Sequence, residues 1–179
     1  MPIENYSFTK YDQELIDHLA RHLQGSQTAG SHFIKGAFPT AKSLIDFAYE
    51  HIQEYDGSKL VKSVDAGKTI GYDSLVSLEN LPKFARVSQE LRGRDGYLVN
   101  MVRGVEKQLT NKMVIIAGPT DEANHGFYTI YPGEIAPPFP ASKEKLIEMG
   151  YSSKDLDEQV KLNESYKRFW DNHGFVKEN

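Results

Sequence analysis

The sequence contains no cysteine, which removes thiol nucleophiles, disulfides and thiolate metal sites together while leaving the redox compartment open. It has no apolar run approaching the roughly 18 residues of a membrane span, and its mean hydropathy is -0.53. An integral membrane protein is therefore excluded. The first residues, MPIENYSFTKYD, have neither a basic stretch nor an apolar core of the export-signal type. A soluble chain is expected, with the cytoplasm as default. An excess of basic charge is also missing: 21 Lys and Arg stand against 25 Asp and Glu, for a net charge of -4. That balance argues against a bulk cationic surface for long nucleic acid but permits a small basic cleft on an acidic body. Phosphate-loop and serine-elbow patterns are absent; Gly67, Lys68 and Thr69 lack the leading glycine of a Walker loop. Kinase and α/β-hydrolase chemistry lose their main sequence support.

What is present is one core's worth of chain, 179 residues with 39% hydrophobic content. Ten Tyr and nine Phe against one Trp mark a packed domain rather than a disordered one. Leu15, Ile16, Leu19 and Leu23 fall at helical spacing over residues 11–24, with Gly25 as the stop. A second amphipathic run carries Leu44, Ile45, Phe47, Ala48, His51 and Ile52, with Thr40 as its cap and Asp56 and Gly57 as its end. The period then changes. Residues 60–64, 70–72, 75–78, 97–102, 113–116 and 127–131 read as short strands, separated by Gly-rich turns and closed by the Pro-rich bend at 135–140. Helices follow over 142–148 and 153–172, the latter capped by Ser153. Helices segregated around a run of strands predict an α+β fold, with N-terminal helices packed on a central antiparallel sheet and extra C-terminal helices. The predicted division is a core domain over residues 1–140 and a C-terminal helical extension over 141–179 packed on it.

Four of the six histidines, His18, His22, His32 and His51, fall in the helical N-terminal region. His18 and His22 are four apart on one helix beside Arg21, so their rings project from one face and can handle protons or bind metal. Equally, His22 between Leu19 and Leu23 fits a partly buried ring bonded to a backbone carbonyl. A metalloprotease helix would need glutamate after the first histidine, and Leu19 stands there. His32 and Lys35 bracket Phe33 and Ile34, with Gly30 and Gly36 as bends that would let the two polar groups converge. The plainer alternative is that Phe33 and Ile34 plug the core while His32 and Lys35 ride at the surface. Strand alternation over residues 126–133 sends Phe127, Thr129 and Tyr131 to one face and Tyr128 and Ile130 to the other, so two hydroxyls share a rim. Arg86, Arg92, Arg94 and Arg103, with Lys83, Lys107 and Lys112, are the cations from which a cleft would be built.

His18 and His22 on a first helix, then Ser31, His32 and Phe33 leading into a second, then an antiparallel sheet and a strand ending Thr129, Ile130, Tyr131, Pro132, Gly133 form an arrangement that resembles the BECR nucleases. That group joins barnase, EndoU, colicin-type tRNases and RelE and includes toxin domains; the resemblance spans roughly residues 11 to 140 and rests on short motifs. It implies a metal-independent, cofactor-free endoribonuclease, with RNA as substrate and a cognate immunity or regulatory protein as partner. Matched by position, it implies His22 and His32 as the acid and base, His18 in reserve, Lys35 as phosphorane stabiliser, and Thr129 and Tyr131 as orienting groups. The start methionine, the helical tail and the acidic pI depart from an ordinary secreted toxin domain. Two other readings stand beside it. One is a non-catalytic interaction or immunity-type protein docking through Tyr166, Phe169, Trp170 and Phe175; the other is a metal hydrolase using His18 and His22 with Asp17, Glu50, Asp121 or Glu122.

Overall fold

The computed structural model describes residues 2–23, 31–93 and 95–177. In chain order the elements are β1 (Phe8–Thr9), α1 (Gln13–Leu23), β2 (His32–Phe33), α2 (Ala41–Glu50), β3 (Leu60–Asp65), β4 (Gly71–Asp73), β5 (Leu75–Ser77), β6 (Arg86–Arg92), β7 (Tyr97–Arg103), β8 (Gln108–Thr110), β9 (Lys112–Pro119), β10 (His125–Pro132), α3 (Lys143–Glu148), α4 (Ser153–Asp171) and β11 (His173–Val176). The class is α+β, with helices beside mostly antiparallel sheets. The contacts divide it into two compact units that are interleaved in sequence: Met1–Ser74 with Lys107–Ile135, and Leu75–Glu106 with Ala136–Asn179. Residues 75–106 therefore belong with the C-terminal helices, and the boundary expected near 140 falls at 135.

The first unit holds a four-stranded sheet, β1-β10-β9-β3, and a three-stranded one, β2-β4-β8. Met113, Ile115 and Ala117 alternate along β9 and project into the same core as Leu15, Leu19 and Leu23 of α1 and Leu44, Ile45 and Ala48 of α2. Each helix thus buries one apolar stripe against a sheet face. Thr40 caps α2 as expected: its hydroxyl accepts from the Ser43 amide while Ser43 Oγ accepts from the Thr40 amide. The helix ends earlier than expected, at Glu50, where His51 Nδ1 lies 2.8 Å from the Phe47 carbonyl. Asp12 caps α1, its carboxylate accepting from the Leu15 amide at 3.1 Å. The Gly25 stop lies outside the described residues.

The second unit is built on the sheet β5-β11-β7-β6. The expected end of the strands at the Pro-rich bend does not hold, because β11 follows α4 and pairs parallel with β7 and antiparallel with β5. The cap of α4 is Ser152 rather than Ser153, its Oγ accepting from the Asp155 amide. Trp170 is buried, its Nε1 donating to the carbonyls of Pro137 and Pro138 and its ring meeting Phe139, Phe169 and Phe175. His173 stacks on Phe169, centroids 3.9 Å apart, with Nδ1 against the Phe169 carbonyl, repeating the Phe47 and His51 arrangement at a second helix end. Packing within this unit accounts for the aromatic face of α4.

Candidate functional site

The site is assembled on α1 and β2. Leu15, Leu19 and Leu23 fix the rotation of α1, and that rotation leaves His18 exposed and His22 half-buried on the flank beside β10 and β2. Their Nε2 atoms are 3.1 Å apart and the rings meet edge to face at 4.4 Å. One ring's N–H donates to the other's lone pair, so the neutral pair is locked in opposite tautomers. Burial, first, and then the charges of His18, Arg21 and His32 hold the His22 ring below the ordinary imidazole range. His32 is thus within electrostatic reach of His22.

His32 owes its direction to Phe33, which is buried in the core and forces the preceding side chain to the other face of β2. There it faces Tyr72 on β4, its register partner, with ring centroids 5.0 Å apart. Close approach of the backbone makes this possible: a Cβ on Gly71 would lie 2.6 Å from the His32 carbonyl oxygen and 2.7 Å from Pro132 Cβ. Tyr72 went unnoticed in the sequence because only strand pairing places it next to His32.

On the opposite face of the same β2 and β4 pair lies a second polar cluster. Ser31 Oγ accepts from the Ser74 amide at 3.1 Å and bonds the Asp73 carboxylate at 3.3 Å, and Asp73 also accepts from the Glu134 amide. Tyr131 belongs here: burial first, then the Asp73 charge, push its phenol up from the ordinary range. Thr129 and Tyr131 do share a face of β10, opposite Ile116 and Val114. Phe127 does not share it. A bulge between Phe127 and Thr129 leaves Tyr128 without a partner, so Phe127 and Ile130 both turn into the core. The strand alternation read from sequence is thereby broken at one residue.

Lys35 is placed elsewhere. It is exposed after β2, where Phe33 and Ile34 both pack on the core, and Gly36 turns the chain with φ of 83°. It lines a groove with Ile16, Ala20 and Leu23, which is the flank of α1 turned away from His18 and His22. The structure therefore pairs His18 with His22, places His32 on β2, a strand in contact with α1, sets Tyr131 near Asp73 with Thr129 on the same face of β10, and leaves Lys35 apart. The cation next to the histidines is Arg21. The arginines of the middle strands belong to the second unit, where Arg103 bonds Ser88 and Glu90 and Arg92 lies over the Phe175 ring; Arg94 is outside the described residues.

A groove of about 910 Å³ is lined by His18, Arg21, Phe127 and Tyr128 and by the carboxylates of Asp12, Glu14 and Asp17; His22 and His32 are not part of its lining. His125, at the start of β10, is engaged separately: Tyr55 Oη lies 2.6 Å from its Nδ1, and the Tyr6 ring meets it edge-on. Among the described residues, no three His, Asp or Glu side chains are grouped to hold a metal ion. No described helix is long and apolar enough to cross a membrane.

No protein-family model and no curated protein matches the sequence. Among solved structures, the chain is similar to a conserved hypothetical protein from Toxoplasma gondii ME49, with a TM-score of 0.47 and 10% identity over 78% of this chain and 87% of that one.

Proposed function

We propose that the protein is a metal-independent endoribonuclease that cleaves RNA by histidine acid and base chemistry. The observation that carries this reading is the hydrogen-bonded His18 and His22 pair, at 3.1 Å on α1, beside the β2 strand that bears His32. Two imidazoles of different basicity are what transesterification of RNA requires near neutral pH. His22, held neutral, accepts the 2′-hydroxyl proton; the 2′-oxygen attacks phosphorus, and the bond to the 5′-oxygen breaks as His32 gives that oxygen a proton. The products are a 2′,3′-cyclic phosphate and a 5′-hydroxyl. His18 orients His22 through their hydrogen bond, and Tyr72 holds the His32 ring. Arg21 takes the charge-stabilising part that the family resemblance assigned to Lys35.

Tyr128, exposed at the groove, offers an aromatic face for a base. The neighbouring carboxylates accept from base N–H groups while repelling phosphate, which keeps the backbone at the histidine end. Thr129 and Tyr131 act from β10 as orienting groups behind the β2 and β4 pair, with Tyr131 acting through Asp73. A cognate regulatory or immunity protein belongs to the same reading.

The test is cleavage of a defined RNA in the presence of a chelator, with the product ends identified. Cyclic phosphate ends that vanish in both His22→Ala and His32→Ala support the assignment. Cleavage unchanged in either variant, or dependent on added metal, overturns it.

A further inference from the structure

We propose that the outer edge of β6 docks an extended segment of another protein, one carrying acidic side chains on one face and aliphatic ones on the other. β6 ends the order β5-β11-β7-β6 and pairs residue for residue with β7, Arg86 to Arg103 through Arg92 to Tyr97, without a bulge. No described strand lies on its other side. Seven residues, RVSQELR, thus present a regular edge with no proline and no bulge, and its charged residues, Arg86, Glu90 and Arg92, all lie on one face.

Its two faces differ in a way that selects the occupant. Val87 and Leu91 lie on one face and are 48% and 69% exposed; Leu98, opposite Leu91 on β7, is 53% exposed. The other face carries Arg86, Glu90 and Arg92, with Arg103 beside Arg86 and Lys177 bonded to Glu90 at 2.5 Å. Among the described residues, that face sets four cations beside one carboxylate, which Arg103 and Lys177 already pair, while Arg92 also lies over the Phe175 ring. An added strand with acids over the cations and aliphatics over Val87, Leu91 and Leu98 satisfies both faces and the backbone edge together. A second copy of β6 would set those four cations against their own kind. Single-stranded RNA would use the charge but neither the aliphatic side chains nor the backbone ladder. The inference is independent of the ribonuclease reading.

The test is a titration of the protein with a short synthetic peptide alternating valine and glutamate, followed by fluorescence anisotropy and by amide hydrogen exchange. Saturable binding is expected, with slowed exchange across residues 86–92, and about tenfold weaker binding in both Arg86→Glu and Leu91→Lys at unchanged circular dichroism. The alternating valine and lysine peptide should not bind. No saturable binding, equal binding of the lysine peptide, indifference to both substitutions, or the same amides protected by an oligonucleotide or by self-association would each overturn the proposal.

Discussion

His18 and His22 share a hydrogen bond between their Nε2 atoms across one turn of α1. Two protons cannot occupy that 3.1 Å gap, so protonating both rings breaks the bond and sets two positive charges beside Arg21.

If the ribonuclease reading holds, His22→Ala and His32→Ala each slow RNA cleavage about 10²- to 10⁴-fold, the usual contribution of a proton-transfer group. Lys35→Ala, on the far flank of α1, leaves the rate within about threefold. Initial rates on one labelled RNA measure all three variants, and a Lys35 effect as large as that of His22 would put the substrate on the wrong flank.

Stability depends on pH through His22. Its folded-state pKa is depressed by burial first, so below about pH 6.5 the unfolded chain binds more protons than the folded one. Stability therefore falls as pH drops through that region, and it is flat above it as far as this group is concerned. Urea denaturation across the range should show a shallower pH slope in His22→Gln than in the wild type.

Gly71→Ala is expected to harm both stability and cleavage. Its new Cβ would press on the His32 carbonyl and the Pro132 ring, both under 3 Å away. Overpacking of this kind costs about 1–3 kcal/mol. Denaturation midpoints give the first effect and cleavage rates the second, since the shift displaces the His32 backbone itself.

Tyr55→Phe removes a hydroxyl from a fully buried ring and leaves His125 Nδ1 without that partner. The expected loss is about 1 kcal/mol. Cleavage should not change, because the proposed chemistry gives His125 no part.

The helices were legible because their apolar spacing is strong: Leu15, Leu19 and Leu23 define α1, and Thr40 with Ser43 marks the start of α2. β6 was not legible, since an exposed edge strand needs no apolar face and RVSQELR has no simple alternation. β2 was too short to show a period, and its partner Tyr72 is forty residues away in sequence. The bulge at Tyr128 left no composition signal, so the face shared by Phe127 and Thr129 was misread, although the pairing of Thr129 with Tyr131 survived it. Proximity of His18 to His22 followed from helical spacing alone. The separation of Lys35 from them did not, because it depends on Phe33 and Ile34 both entering the core and on the turn at Gly36.

Trp170 is the chain's single indole and is buried among Phe139, Phe169 and Phe175, in the unit that contains none of His18, His22 and His32. Its emission is consequently a reporter on one half of the molecule. An unfolding curve followed at that wavelength registers the surroundings of α4, so a second probe, such as tyrosine absorbance or far-ultraviolet dichroism, is needed to follow α1 and its histidines directly.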